Sequence, residues 1–565
     1  MNHKSFFLSL LISLNLVFAL KGTAQKTTKT TYNNPIITGF NPDPSICKVG
    51  KDYYLVTSTF EYFPGVPVYH STDLVNWEMI GHVMDRPSQL NLDGCESSGG
   101  IYAPCIRYNK GVFYMVTTLI GKGGGDFICT ATNPAGPWSE PHFIKGAPGI
   151  DPDLLFDDDG KVYMSGTLKP QVPLWPAHNT IWTQEIDLEK WVLVGEKHIT
   201  TNGGDFFSTE NPLKLVNVNY LNSIEGPHIY KKDGMYYSTF SLGGTGQNHA
   251  FAIFRSKNIF GPYEMNPANP ILTHRDLPKT HPITATGHAD LIQIQGGDWA
   301  IVYLGKRPIQ DGTNNAKIIL GRETYISMVD WSGEWPIVNP KGKIGRSELV
   351  QQKPNLPEMK VNRSYLNDDF NAAKLHPQWN FLRTPRTEWC SLTDKKGFLR
   401  LNLRPEMVCE KVNPSFICKR QEHANFEVVT KMEFNPTADN EEAGIVLERD
   451  KNSYLKYTVS LENNEVVLKL ATRSGTATTD TMITQTKVKS GIIHLKVNAK
   501  ETVYSFSYSL DGKKWKSMNQ DIDLVTSGLV TGGKFTGPLV GMYASSNGKP
   551  SQNSAYFDNF YYKGE

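Results

Sequence analysis

The sequence IEGPHIY at residues 224–230 predicts a short β-strand that begins at a carboxylate. The next ten residues, KKDGMYYSTF at 231–240, add a glycine-bearing turn and a second strand rich in aromatic residues. The same unit recurs at four further places, which begin near Asp43, Pro104, Asp151 and His288. Such an internal repeat of a small antiparallel unit is typical of the blades of a β-propeller.

The first strand of each unit would be the innermost strand of a blade, so its first residues would converge at one mouth of a central channel. Counting back from the aromatic strands gives the equivalent positions Asp43, Pro104, Asp151, Glu225 and His288. Three of these are carboxylates, and like charges that face one another cost stability unless function uses them. An aspartate before proline is by itself a common turn residue, so it is the set of three that predicts a functional site.

Composition and the N-terminus indicate an exported protein with more than one domain. The chain has 565 residues, of which 39% are hydrophobic, and a net charge of +2, which gives no reason to expect nucleic acid or a membrane as a partner. Lys4 precedes an apolar run at residues 6–20 and small residues at 22–24, a pattern that predicts a signal peptide over 1–24. We therefore expect export to the periplasm.

The rest of the chain is expected to be all-β, in two domains. Short strands and turns predict a five-bladed β-propeller over 25–345, and the proline-bearing stretch around 351–357 indicates a linker over 346–361. Apolar and polar residues then alternate cleanly, for example at 398–403 and 502–509. This alternation favours a β-sandwich over 362–565.

Paired acids suit the hydrolysis of a glycosidic bond. One carboxylic acid protonates the leaving oxygen, and a second carboxylate activates water or attacks the sugar. A third acid nearby raises the pKa of the proton donor, because neighbouring negative charges disfavour its ionisation. This chemistry requires no cofactor and no catalytic metal.

Four motifs in chain order resemble those of glycoside hydrolase family 43. They are NPDPSI at 41–46, GIDPDL at 149–154, EGPH at 225–228 and TGHAD at 286–290. The resemblance implies a five-bladed propeller, inversion by single displacement, and the concanavalin A-like sandwich found in β-xylosidases and α-L-arabinofuranosidases. It further implies that Asp43 is the general base, Glu225 the general acid and Asp151 the residue that modulates the pKa of the acid.

The resemblance also implies substrate-binding residues. Arg322 matches an arginine that contacts the sugar, Phe60 and Tyr102 would wall the pocket, and the loop at Phe535 would reach it from the sandwich. Core packing is the alternative for the aromatic residues. His288 matches a histidine on the propeller axis, which implies a structural calcium ion or a water beside it; a satisfied polar core residue is the alternative.

Together these features predict an exo-acting, inverting glycoside hydrolase. It would release terminal non-reducing α-L-arabinofuranosyl residues from plant cell-wall oligosaccharides, of the xyloglucan or arabinoxylan type. The sequence WNFLR at 379–383 leans toward the arabinofuranosidase branch of the family. A β-D-xylosidase or a bifunctional enzyme is the alternative, and a non-catalytic carbohydrate-binding propeller is a more distant one.

Overall fold

The computed structural model describes residues 30–207, 223–309, 317–362, 366–529 and 535–565. The expected signal peptide at 1–24 lies outside these ranges. The described residues form β-sheets joined by turns, with one short 3-10 helix at Gly203–Phe207. No helix in these ranges is long and apolar enough to cross a membrane. The chain is all-β, as the sequence predicts.

Five antiparallel sheets form the blades of a propeller, and the first strand of each blade lines the channel while the later ones lie successively farther out. Blade 1 comprises Ser45–Val49, Asp52–Val56, Gly65–Ser71 and Glu78–Met84. Blade 2 comprises Cys105–Asn109, Val112–Ile120, Gly125–Ala131 and His142–Phe143, with Gly100–Ile101 also paired to its second strand. Blade 3 comprises Ile150–Phe156, Val162–Leu168, Thr180–Asp187 and Val192–Asn202. Blade 4 comprises Glu225–Lys232, Met235–Leu242, Ala250–Ser256 and Glu264–Met265, with Leu272–Thr273 added to its third strand. Blade 5 comprises Thr284–Gln293, Trp299–Lys306, Glu323–Asp330 and Ile337–Val338.

The five inner strands contact one another in a closed ring around the channel. Apolar side chains fill the gaps between neighbouring blades; Val68 of blade 1 and Met115 of blade 2, for example, belong to one buried cluster. Burial of such side chains is the main force that holds the blades together. A small hairpin, Pro308–Ile309 with Lys317–Ile318, extends from blade 5.

The first described residues pair with the segment that follows blade 5. Thr31–Asn33 pairs with Val350–Gln352, and Ile37 forms a bridge with Thr324 of blade 5. Part of the segment expected to be a linker, 346–361, is thus a strand that holds the N-terminus on the propeller. The boundaries of the two domains stay predictions.

The C-terminal part forms a concanavalin A-like β-sandwich of two antiparallel sheets. One sheet runs in the order Thr481–Lys487, Glu465–Arg473, Ser453–Glu462, Glu442–Asp450, Leu539–Ser545, Ser415–Arg420 and Asn380–Leu382. The other runs Cys390–Ser391, Leu399–Asn402, Ser554–Gly564, Phe426–Phe434, Gly491–Lys500, Val503–Ser509 and Lys516–Ser517, with Ile522–Asp523 beside Val503–Ser509. Their inward faces share one apolar core.

The first sandwich sheet gains its last strand from the propeller. Tyr62–Phe63 pairs with Asn380–Leu382, so one sheet continues across the domain boundary. The next residue, Arg383, is fully buried and donates from Nη2 to the carbonyl oxygen of Cys95 over 2.7 Å. The sandwich is therefore fixed against two parts of the propeller, the short strand Tyr62–Phe63 and the segment around Cys95 between blades 1 and 2.

Candidate active site

A residue with left-handed backbone geometry lies near the start of the inner strand in blades 1, 3 and 4 and within the inner strand of blade 5. Asp43, Asp151, Gly226 and His288 have φ angles of 53°, 55°, 63° and 49°, in the left-handed region where residues other than glycine are uncommon. The strand register shifts around the same points in blades 3, 4 and 5. These four residues therefore occupy the equivalent position of the repeat.

This backbone evidence corrects the alignment of the repeats. Gly226, not Glu225, holds the equivalent position in blade 4, and Glu225 precedes it by one residue. A proline follows the position at Pro44, Pro152 and Pro227, which places Ala103 rather than Pro104 there in blade 2. The count from the aromatic strands is therefore wrong by one residue at Glu225 and Pro104.

Asp43 is buried and held by two donors. Its Oδ1 accepts a hydrogen bond from Nη1 of Arg322 over 2.7 Å, and its Oδ2 accepts one from the hydroxyl of Ser58, also over 2.7 Å. Burial alone would raise the pKa of Asp43, but the charges of Arg322 and His288 outweigh it and lower the pKa. Asp43 is therefore ionised at neutral pH, as a general base must be.

Glu225 lies at the same mouth, but its pKa is shifted in the opposite direction to that of Asp43. Burial raises its pKa to about 7, and the charges of Asp151 and Asp43 add to the rise, against the opposing effects of His288 and Arg322. An acid with this pKa retains a proton near neutral pH and can donate it.

Asp151 and His288 connect these two groups. Oδ2 of Asp151 accepts a hydrogen bond from the backbone N–H of Gly226 over 3.2 Å, which ties Asp151 to the residue beside Glu225. Nε2 of His288 lies 3.7 Å from the same oxygen. Burial would lower the pKa of His288, but Asp43, Asp151 and Glu225 raise it to about 9. The structure thus brings the five predicted charged residues, including the Arg322 that binds Asp43, to one mouth.

Three aromatic rings cluster beside this mouth: Phe60 is buried in an apolar cluster, and Tyr102 and Phe535 are partly buried against it. Their role as walls of a sugar pocket stays a prediction. The ring centroid of Phe60 lies 5.4 Å from that of Tyr102 and 5.8 Å from that of Phe535, onto which it stacks. The guanidinium of Arg322 lies 5.3 Å from the ring of Phe535, and its Nε donates to the Phe535 carbonyl oxygen over 3.2 Å. Because Phe535 belongs to the sandwich, both domains build the site.

Several neighbours of the site have no signal in the sequence. Ser58 holds Asp43, and the hydroxyl of Ser241 accepts a hydrogen bond from the backbone N–H of His288 over 2.6 Å. Burial and the charge of Arg322 lower the pKa of Lys306 to about 8. Serines in strands and a lysine at a strand end are too common to single out without the fold.

The described residues contain one group of side chains close enough together to hold a metal ion, namely Cys105, Asp153 and His228. Nη2 of Arg107 lies 2.7 Å from Oδ1 of Asp153 and 3.0 Å from Nδ1 of His228, so a guanidinium already fills this position. His288 is not in the group. The calcium ion or water expected beside His288 stays a prediction.

A five-bladed propeller that brings Asp43, with a lowered pKa, and Glu225, with a raised pKa, to one mouth has the paired carboxyl groups of a glycoside hydrolase. Residues 32–336 match the sequence profile of glycosyl hydrolases family 43, and residues 367–563 match the β-xylosidase C-terminal concanavalin A-like domain. The chain belongs to glycosyl hydrolase family 43.

Relatives that align over nearly the whole chain are described as arabinofuranosidases and as xylosidases. A non-reducing end α-L-arabinofuranosidase of Bacteroides ovatus is 40% identical, covering 98% of this chain and 97% of its own. A xylosidase/arabinosidase of Butyrivibrio fibrisolvens is 39% identical, with 94% and 98% coverage. Among solved structures, the Bacteroides ovatus protein described as Xyloglucan PUL GH43B has a TM-score of 0.84 at 37% identity, over 95% of this chain and 100% of its own. A xylan β-1,4-xylosidase of Bacillus halodurans has a TM-score of 0.85 at 32% identity, over 94% and 100%.

Proposed function

We propose that this glycoside hydrolase acts by inversion, with Asp43 as general base and Glu225 as general acid. Glu225 donates its proton to the glycosidic oxygen as the bond to the anomeric carbon breaks. Asp43 takes a proton from a water that attacks the same carbon from the opposite face. The observation that carries the proposal is the contrast between the lowered pKa of Asp43 and the raised pKa of Glu225 at one mouth.

Asp151 and the remaining site residues have supporting roles in this proposal. Asp151 raises the pKa of Glu225 by its charge and, through the N–H of Gly226, holds the strand that carries Glu225. His288 orients Asp151 and a water, and Arg322 holds Asp43 while it offers its remaining N–H groups to sugar hydroxyls. The reaction needs no cofactor, because the carboxyl groups supply every proton transfer.

We further propose that the enzyme is exo-acting and removes one terminal pentose. Phe60, Tyr102 and Phe535 close one side of the mouth by mutual ring contacts, which favours a pocket for a single sugar over an open groove. The substrate is an α-L-arabinofuranosyl group on hemicellulose oligosaccharides from plant cell walls. The printed function of the Bacteroides ovatus relative supports this choice.

A β-D-xylosidase or bifunctional enzyme is the second candidate, and the Butyrivibrio relative, described with both activities, favours it. For location, we propose export to the periplasm. This rests on the signal-peptide pattern over 1–24 alone.

Initial rates on 4-nitrophenyl α-L-arabinofuranoside and 4-nitrophenyl β-D-xyloside test the substrate. We expect kcat/KM to be about 10-fold or more higher on the arabinofuranoside, the size of discrimination that a few pocket contacts give. Equal values would indicate a bifunctional enzyme, and the reverse order a xylosidase. Activity on neither would contradict the proposed function, with Asp43→Asn as the inactive control. On branched oligosaccharides, the early products should be free monosaccharide and the remainder shortened by that one sugar; early cleavage into two oligosaccharides would contradict the exo mode.

A further inference from the structure

A second layer of buried polar residues lies directly beneath the catalytic mouth. It contains the residues two positions after the repeated turn, one from each inner strand: Ser45, Cys105, Asp153, His228 and Asp290. All five are buried, and Asp290 is fully so. The repeat therefore places a ring of polar side chains across the channel, one step below Asp43, Asp151, Gly226 and His288.

Arg107 of blade 2 fills the centre of this ring. Its Nη2 donates to Oδ1 of Asp153 over 2.7 Å, and its Nη1 donates to Oδ2 of Asp290 over 2.8 Å. Nη2 also lies 3.0 Å from Nδ1 of His228. The same Nδ1 lies 3.2 Å from Oδ1 of Asp153, so His228 contacts both members of the Arg107–Asp153 pair. One guanidinium thus joins blades 2, 3, 4 and 5.

The two aspartates extend these links to the backbone of neighbouring strands. Oδ2 of Asp290 accepts hydrogen bonds from the hydroxyl of Ser45 over 2.6 Å and from the backbone N–H of Ile46 over 3.1 Å. Oδ2 of Asp153 accepts one from the N–H of Ile229 over 2.9 Å. Blade 1 is therefore tied to blade 5, and blade 3 to blade 4, through carboxylates that Arg107 neutralises.

We propose that Arg107 is a positioning residue, which holds Asp43, Asp151 and Glu225 at their working separation by fixing the inner strands a few residues below them. The proposal rests on the catalytic roles proposed above. The strands are held at Ser45 and Asp153, two residues after Asp43 and Asp151, and at His228, three residues after Glu225, so little backbone freedom remains between each held residue and the carboxylate. A displacement of about 1 Å at such groups can cost on the order of 100-fold in rate.

The shape of the guanidinium is what this role requires. Its planar fork presents several N–H groups at once, whereas the ammonium of lysine is a point charge that cannot reach both aspartates and the histidine in one geometry. The charge alone would neutralise Asp153 or Asp290 equally well. A variant that keeps the charge and loses the fork therefore separates positioning from neutralisation.

The first test is Arg107→Lys in the full chain, assayed on the better of the two 4-nitrophenyl glycosides. We expect kcat to fall about 10- to 100-fold with KM changed less than about threefold, because the groups are misplaced rather than lost. The alkaline limb of kcat/KM should move toward acid, because Glu225 faces Asp151, Asp43, His288 and Arg322, and a greater distance from the two aspartates weakens their effect.

A matched pair at His228 keeps the proposal testable if Arg107→Lys fails to fold. His228→Asn retains a polar side chain that can contact both Nη2 of Arg107 and Oδ1 of Asp153, and His228→Leu removes it. We expect the asparagine variant to stay within about threefold of wild-type kcat and the leucine variant to lose more, with the same shift of the alkaline limb. Leu495→Ala, in the buried core of the sandwich, is the control for stability loss alone.

Two outcomes would overturn the inference. One is a folded Arg107→Lys protein with wild-type kcat and an unmoved alkaline limb. The other is a Leu495→Ala variant of equal thermal stability that shows the same kinetic changes, since these would then follow from destabilisation. Failure of the wild-type enzyme on both glycosides would instead contradict the proposed function, so the two failures are distinguishable.

Discussion

At the scale of single residues, the site depends on how neighbouring charges set the pKa of each acid. Asp43 and Glu225 are both carboxyl groups at one mouth, yet their pKa values move in opposite directions. Arg322 and Ser58 bind Asp43 directly, whereas Glu225 has burial and Asp151 to raise its pKa. The environment of each group, rather than its identity, therefore assigns base and acid.

Asp151→Asn should lower the pKa of Glu225, because it removes the largest charge that disfavours its ionisation. The alkaline limb of kcat/KM reports loss of the proton from the general acid, so it should move toward acid by about one pH unit. Asp157→Asn, just beyond the far end of the same strand, is the control for loss of a carboxylate. An unmoved limb in Asp151→Asn would count against the modulating role.

Glu225→Ala should lose more activity on substrates whose leaving group must be protonated than on substrates whose leaving group departs as an anion. We expect kcat to fall about 100-fold or more on an oligosaccharide, whose leaving group must be protonated. It should fall far less on a 2,4-dinitrophenyl glycoside, whose leaving group departs as an anion. Asp43→Ala should lose both activities, since water must be activated in either case. Equal losses on both substrates in Glu225→Ala would contradict its role as the acid.

How far the site could be predicted from the sequence differs from residue to residue. Asp43, Asp151 and Glu225 stand out because acids recur at corresponding places in a repeat, although the count errs by one at Glu225. Arg107 gives no such signal: it is one arginine on a strand, and its partners Asp153 and Asp290 lie far from it in sequence. Contacts of that kind depend on ring closure, which local pattern does not encode.

At the scale of strands, the start of each inner strand sets the direction of its functional side chain. The left-handed backbone geometry at Asp43, Asp151, Gly226 and His288 occurs at the end of the channel where the functional side chains lie. Uncommon backbone conformations of this sort cluster at functional sites. In blade 4 the residue is glycine, and a Cβ there would lie 2.8 Å from the His288 ring.

Gly226→Ala should therefore displace His288 and the strand that carries Glu225. We expect a loss of about 1–2 kcal/mol in the free energy of unfolding from the positive φ angle, and in addition a fall of about 10-fold or more in kcat. Gly234→Ala is the matched control. Its φ is +75°, and its Cβ would meet nothing within 4 Å, so it should lose similar stability and keep its kcat. Equal kcat values for the two variants would contradict the argument.

At the scale of the whole molecule, the two domains form one site and share one sheet. Tyr62–Phe63 pairs with Asn380–Leu382 just beyond Phe60, and Phe535 returns from the sandwich to that ring. The class of both domains could be predicted from strand alternation and turns. Their hydrogen-bonded junction could not, because two-residue strands are too short to recognise.

This junction buries two acids whose ionisation should oppose folding. Burial raises the pKa of Glu61 from 4.5 to about 7 and that of Glu448 to about 8, and the charge of Glu61 adds to the rise at Glu448. The folded protein therefore holds protons that the unfolded chain releases, so stability is lost as pH rises from about 4.5 to about 8.

Glu61→Gln and Glu448→Gln should raise Tm at pH 8, because they remove a buried charge, and should change it little at pH 5. Each kcal/mol gained in the free energy of unfolding should raise Tm by about 2–4 °C. Glutamine keeps the acceptor oxygen that binds the N–H of Ser98 or the hydroxyl of Tyr62. Thermal unfolding from pH 5 to 8 measures the effect, with exposed Glu196→Gln as the control. A Tm difference from wild type that stays constant over this pH range would rule out the buried acids as its cause.

The anomeric configuration of the first product tests the central claim, that Asp43 activates water while Glu225 protonates the leaving group. Proton NMR of the fresh reaction on an α-L-arabinofuranoside, recorded before mutarotation, should show β-L-arabinose; a β-D-xyloside should give α-D-xylose. Inversion is the predicted result, because water attacks opposite the leaving group in one step. A product that retains the substrate's configuration would mean that a carboxylate attacks the sugar itself, and it would contradict the assignment of Asp43 as the base.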